Sequence, residues 1–127
     1  MQPKTKILLV DDCTELLTAL KGFLEIKTYE VCTVGSYKLL QEAMEHFVPD
    51  IIVLDIHLGG KLDGRDICRL LKSSHVTAHI PILLMSGYTD LLQNYKECLA
   101  DAILEKPFNL WTLQSKIDCL INEQVEC

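Results

Sequence analysis

The chain has 127 residues, 49% of them apolar, which suits one folded domain with a buried core. Its 18 acidic and 12 basic side chains leave a net charge of −6, and no Lys/Arg stripe forms, which argues against direct nucleic-acid binding. No apolar run approaches a membrane span and no signal-peptide pattern opens the chain, so a cytoplasmic location is expected. The six cysteines include no C-x-x-C pair and read as reduced thiols acting as small apolar residues, with Cys13 and Cys127 nearest solvent.

In chain order, residues 6–10 form a first short apolar run. Leu16, Leu17, Leu20, Phe23 and Leu24 then share one helical face, with Asp12 and Glu15 spaced as a capping box. Residues 30–34 form a second run, and Ser36 is placed to cap a helix with Leu39, Leu40, Ala43, Met44 and Phe47 on one side, closed by Pro49. A third run, 51–54, is followed by Asp63 as a cap and by Ile67, Leu70 and Leu71. A fourth, 80–85, precedes a helical face of Leu91, Leu92, Tyr95 and Leu99. The fifth, 102–104, leads to Asn109 as a cap and to Leu110, Leu113, Ile117, Leu120 and Ile121.

Strands that are apolar almost throughout are buried on both faces. Their alternation with five helices predicts an α/β domain with a doubly wound, five-stranded parallel sheet. In such a sheet the functional site lies at the carboxyl ends of the strands.

Those ends carry chemistry. The first strand ends in Asp11 and Asp12, the third in Asp55, the fourth in Ser86, and the fifth runs into Lys106. Singly, each has a plain reading: Asp12 as a helix cap, Ser86-Gly87 as a turn. Together they bring three carboxylates, a hydroxyl and an ammonium to one edge. Clustered carboxylates need a cation, and hard oxygen ligands suit Mg²⁺. A carboxylate is also a nucleophile toward phosphorus, with a metal and a lysine offsetting charge on the transferred group. No histidine stands at a strand end beside a nucleophile, and no glycine-rich phosphate loop follows the first strand.

The segments ILLVDD at 7–12, IIVLDIHL at 51–58, ILLMSGYTD at 82–90 and EKPF at 105–108 resemble the receiver domain of two-component response regulators. The resemblance implies one receiver domain over residues 1–127, with no output domain within the chain, and a flavodoxin-like strand order of 2-1-3-4-5. It implies that Asp55 takes a phosphoryl group from a phosphohistidine on a sensor histidine kinase or a histidine phosphotransfer protein. Asp12, Asp55 and the backbone carbonyl of His57 would ligate Mg²⁺, with Asp11 acting through water. Lys106 and Ser86 would contact the phosphoryl group, and the Lys106–Pro107 bond would be cis. Such a domain assists its own phosphorylation and autodephosphorylation and is not a turnover enzyme on an external substrate. It signals through protein partners, often on the face built by the fourth helix, fifth strand and fifth helix, and homodimer formation is open. Trp111, off the apolar stripe of its helix, is a candidate anchor there.

Three departures from the family pattern stand out. Ile103 replaces an aromatic residue, Leu99 replaces a glycine, and the loop after Asp55 is one residue longer, with Gly59-Gly60-Lys61 where proline is frequent. Ile103 has no ring to swing, so coupling is expected to run through the loop at 87–90. The competing readings are a phosphorylation-independent interaction module and a small phosphohydrolase. The second would need a further acid where His57 stands.

Overall fold

Alternate residues of each central strand point to opposite faces of the sheet, and here both faces are covered. Ile7, Leu9, Ile51, Val53, Leu83 and Met85 pack on one side, and Leu8, Val10, Ile52, Leu54, Ile82 and Leu84 on the other, all fully buried. Each such side chain contributes roughly 1.5–3 kcal/mol of burial. The computed structural model describes residues 3–122.

The strands are β1 (Lys6–Val10), β2 (Glu30–Val34), β3 (Ile51–Asp55), β4 (Ile82–Ser86) and β5 (Ala102–Glu105). They pair in parallel in the order β2-β1-β3-β4-β5. The helices are α1 (Thr14–Ile26), α2 (Tyr37–Ala43), α3 (Gly64–Ser73), α4 (Thr89–Leu92) and α5 (Leu110–Ile121). Leu17, Leu20 and Leu24 of α1 and Leu113 and Ile117 of α5 cover one face. Leu40 and Ala43 of α2, Ile67, Cys68 and Leu71 of α3, and Leu92 of α4 cover the other. The chain order reverses between β1 and β3, so the carboxyl ends of these strands flank the crevice.

Caps follow side-chain chemistry at three helices. Ser36 accepts from the Leu39 N–H, Asn109 accepts from the Thr112 N–H, and Asp63 forms a full capping box with Asp66. The box expected at Asp12 and Glu15 does not form. Cys13 is the N-cap of α1 and makes no side-chain cap bond, because Asp12 faces the carboxylate cluster instead.

Other boundaries also differ from the sequence pattern. β4 begins at Ile82 rather than Ile80, since Pro81 has no N–H for the ladder. α2 ends at Ala43, well before Pro49, and Phe47 reaches the core through a turn whose N–H donates to the Ala43 carbonyl at 2.8 Å. The expected fourth helix is broken into α4 and a single 3₁₀ turn, Tyr95–Cys98, separated by the exposed Gln93 and Asn94. Leu99, at φ 70, ends it and is exposed. Cys13, Cys32, Cys68 and Cys98 are free thiols as expected, with Cys13 exposed. Cys119 departs from that expectation and is disulfide-bonded, while Cys127 lies outside the described residues.

The end of α1 stores strain. Thr28 N–H donates to the Glu25 carbonyl at 3.1 Å and Tyr29 N–H to the Leu24 carbonyl at 3.2 Å, a paired closure that places Thr28 at φ 73. A β-branched residue in the left-handed region costs about 1–2 kcal/mol, partly offset by the extra unfolded-state freedom of glycine. Thr28→Gly is expected to raise stability by about 1 kcal/mol. An unchanged or lower urea midpoint, at equal slope, would contradict this.

Candidate functional site

Parallel pairing of β1, β3, β4 and β5 brings their last residues to one edge. Asp11, Asp12 and Asp55 each place an oxygen within 4.8 Å of the others. Asp11 and Asp55 are buried, at 1% and 3% exposure, and Asp12 opens to solvent. Lys106 reaches in from the end of β5, its Nζ 2.7 Å from Asp11 Oδ2 and 3.2 Å from Asp55 Oδ1. The backbone holds this lysine in place: its N–H donates to the Ser86 carbonyl at 2.8 Å, and the Lys106–Pro107 bond is cis. Asp11 Oδ1 also accepts from the Cys13 N–H at 2.9 Å, which fixes that carboxylate at the start of α1.

Electrostatics follow from this crowding. Burial, and then the charge of Asp11, push the Asp55 carboxyl above its ordinary range, against the pull of Lys106. Burial works to lower the Lys106 ammonium, but bonding to Asp11 and the charge of Asp55 outweigh it and hold it above its usual value. Three carboxylates against one contacting ammonium leave a local charge of about −2, which a single divalent cation would balance. The all-oxygen donor set fits Mg²⁺ by its chemistry.

Ser86 is fully buried at the end of β4, where its Oγ accepts from the Tyr88 N–H at 2.9 Å. Thr89 Oγ1 donates to Glu105 Oε1 at 2.7 Å, tying the start of α4 to β5. His57 is exposed at the mouth, its ring edge-on to Tyr88 with centroids 4.9 Å apart. All six residues singled out from sequence thus lie at this edge of the sheet.

Two contributors escaped sequence reasoning. Tyr88 is an unremarked loop residue until the fold sets it against His57. Gly64 begins α3 where a Cβ would lie 2.4 Å from the Asp55 carbonyl oxygen, so only glycine permits this approach. Gly59 explains the unusual loop: at φ +72 it excludes proline, whose ring fixes a negative φ.

Beside Lys106 a groove of about 700 Å³ opens between α1 and the loops after β4 and β5, lined by Leu16, Leu20, Tyr88, Pro107, Phe108 and Leu110. Trp111 stands outside it, 65% exposed, edge-on to Phe23 at 5.7 Å between centroids and with Lys27 Nζ 4.6 Å from its own centroid. Part of that ring is therefore used to join α5 to α1.

The family model of the response regulator receiver domain matches residues 7–118. The chain is 29% identical over 119 residues to the sensory transduction protein BceR of Halalkalibacterium halodurans, covering 91% of this chain and 49% of that protein. It is 36% identical over 109 residues to the response regulator PleD of Caulobacter vibrioides, covering 82% of this chain and 23% of that protein. The chain thus spans half or less of the length of these relatives. Among solved structures it is similar to a two-component response regulator from Clostridium difficile, with TM-score 0.84 and 27% identity, covering 97% of this chain and 100% of that one. It is also similar to the receiver domain of a signal transduction histidine kinase from Syntrophus aciditrophicus, with TM-score 0.83 and 28% identity, covering 94% and 91%.

Proposed function

Because the chain belongs to the response regulator receiver domain family, we propose that Asp55 accepts a phosphoryl group from a phosphohistidine and that the resulting aspartyl phosphate switches binding to a protein partner. The observation that carries this reading is Lys106, bonded at once to Asp11 and Asp55 in a buried carboxylate cluster.

The Asp55 carboxylate attacks phosphorus in line, a P–O bond forms as the P–N bond breaks, and the imidazole leaves on the donor. Lys106 supplies a fixed positive charge beside the incoming oxygens and is kept protonated by Asp11. Asp12, Asp55 and the His57 carbonyl would hold Mg²⁺, with Asp11 behind them; when bound, the ion would neutralise charge on the phosphoryl oxygens. The apolar groove beside Lys106 suits a donor protein, whose histidine must come within bonding distance of Asp55. A sensor histidine kinase or a histidine phosphotransfer protein has that chemistry. The resemblance to the family supports the face of α4, β5 and α5 as the surface for the downstream partner.

Acetyl phosphate with Mg²⁺, followed by intact mass, tests the reading. One phosphoryl group should add, and none should add in excess chelator. Equal labelling in both conditions would sink the metal requirement, and no labelling in either would favour a phosphorylation-independent module.

The hydrogen bonds around Ser86 support a route for the signal. The Ser86 hydroxyl accepts from the Tyr88 N–H and keeps its own hydrogen to donate to a phosphoryl oxygen, so a shift of Ser86 toward that oxygen would pull on the loop at 87–90 through this bond. Ile103 is only partly buried against the core and has a stiff, β-branched side chain. With beryllofluoride and Mg²⁺, backbone NMR shifts should centre on 87–90. Ser86→Ala should remove that response and Ile103→Val should leave it. A response lost in Ile103→Val would show that the isoleucine carries the switching role.

His57 and Tyr88 form an edge-on pair over the site and should limit access of the hydrolytic water. His57→Ala is expected to shorten the aspartyl phosphate lifetime roughly fivefold, about 1 kcal/mol of barrier. An unchanged autodephosphorylation rate would end this idea.

A further inference from the structure

Cys68 and Cys98 are a buried pair that the phosphoryl chemistry does not use. Cys68 lies on the sheet-facing side of α3 with no exposure, and Cys98 ends the 3₁₀ turn at 1% exposure. Both side chains lie in one buried cluster where α3 packs against the 3₁₀ turn, Cys98 stands near enough to help raise the Cys68 thiol, and Cys98 Sγ donates to the Tyr95 carbonyl at 3.0 Å. Leu71, Leu92 and Ala100 belong to the same apolar cluster, which keeps both thiols from solvent in the closed domain.

The segment holding Cys98 is broken into short pieces. α4 has four residues, the 3₁₀ turn has four, and Leu99 closes it at φ 70, a left-handed conformation that strains a residue with a Cβ. Short turns with few buried side chains open locally at lower cost than the core strands.

We propose that Cys68 and Cys98 are a redox-sensitive pair, converted by a hydroperoxide to a disulfide that ties the 3₁₀ turn to α3. One thiol, as its thiolate, attacks a peroxide oxygen; an S–O bond forms, the O–O bond breaks, and the departing oxygen takes up a proton. The second thiol then attacks the sulfenic sulfur, forming the S–S bond as the S–O bond breaks, and water leaves. Two thiols lose two electrons and two protons, and the peroxide gains them. Burial, together with the neighbouring Cys98, pushes the Cys68 thiol up to about 12, so the closed pair is unreactive and oxidation waits on opening of the turn.

The disulfide would close a covalent loop containing β4, Ser86 and α4. Formation of the bond is independent of the phosphoryl-transfer reading; only its effect on the loop response rests on that reading. The test uses the folded chain treated with hydrogen peroxide, then denatured, alkylated with N-ethylmaleimide and mapped by mass. A Cys68–Cys98 linked peptide is expected, with loss of alkylation at both positions and recovery by dithiothreitol. Both cysteines remaining alkylatable, while the exposed Cys13 alone is oxidised, would overturn the proposal. In Cys98→Ala, the link should vanish and Cys68 should stay alkylatable; a Cys68 linked elsewhere would count against the pair. In a second arm, beryllofluoride-induced shifts at 87–99 should shrink in the oxidised protein. Equal shifts in both redox forms would overturn the regulatory consequence even where the disulfide is found.

Discussion

Asp55→Asn is expected to abolish phosphorylation by acetyl phosphate completely while raising the melting temperature of the metal-free protein. The two effects have one origin. Burial and the charge of Asp11 raise the Asp55 carboxyl above its ordinary value, so the folded state holds the protonated form better than the unfolded chain does. The stability tied to this raised value is fully present below the unfolded carboxyl range and is lost as pH rises through the folded value. At neutral pH the ionised Asp55 therefore costs stability, and the neutral amide removes that cost. Lys106 is not orphaned, because its 2.7 Å bond to Asp11 remains. Intact mass measures the first effect and thermal unfolding in chelator the second. The stabilisation should fade at acid pH, where the parent Asp55 is itself protonated. A lower melting temperature at neutral pH, or full labelling of the variant, would refute the assignment.

Gly64→Ala should cost about 3 kcal/mol of stability, the upper end for overpacking. The new Cβ would lie 2.4 Å from the Asp55 carbonyl oxygen, 2.8 Å from the Ile56 Cα and 2.9 Å from the Asp55 carbonyl carbon. All three are backbone atoms, so no rotamer change relieves the clash. Either α3 must retreat, breaking the 2.8 Å bond from the Gly64 N–H to the Ile56 carbonyl, or the end of β3 must move. Movement of β3 displaces Asp55 and the His57 carbonyl together, so slower phosphorylation should accompany the lost stability. Gly22 supplies the contrast. It sits exposed in α1 with nothing within 4 Å of a built Cβ, and Gly22→Ala should stabilise by about 0.5–1 kcal/mol. Urea midpoints of the two variants moving in the same direction would contradict the argument.

Much of this protein was readable without coordinates. Apolar runs such as 51–54 have no polar face, and only a sheet covered on both sides accommodates them. Ser36, Asp63 and Asn109 cap their helices as their side chains dictate, because capping is a contact within one turn. Asp11, Asp12, Asp55, Ser86 and Lys106 could be assigned to one edge because parallel strands with right-handed crossovers end on the same side.

Tertiary structure decided what depends on groups distant in the chain. Asp12 and Glu15 have the spacing of a capping box, yet Asp12 turns to the cluster it shares with Asp55. The apolar spacing of Leu91 to Leu99 suggested one helix, but the sheet-side cluster takes up Leu92 and Cys98 and leaves Leu99 exposed, so the segment breaks. The Lys106 bridge to Asp11 spans 95 positions, and the steric need for Gly64 arises only where α3 meets β3. The meeting of Cys68 and Cys98 in one buried cluster has no sequence signature either. Local periodicity and capping are set by neighbours within a turn or a strand, whereas these meetings are set by how the layers pack, which no short window contains.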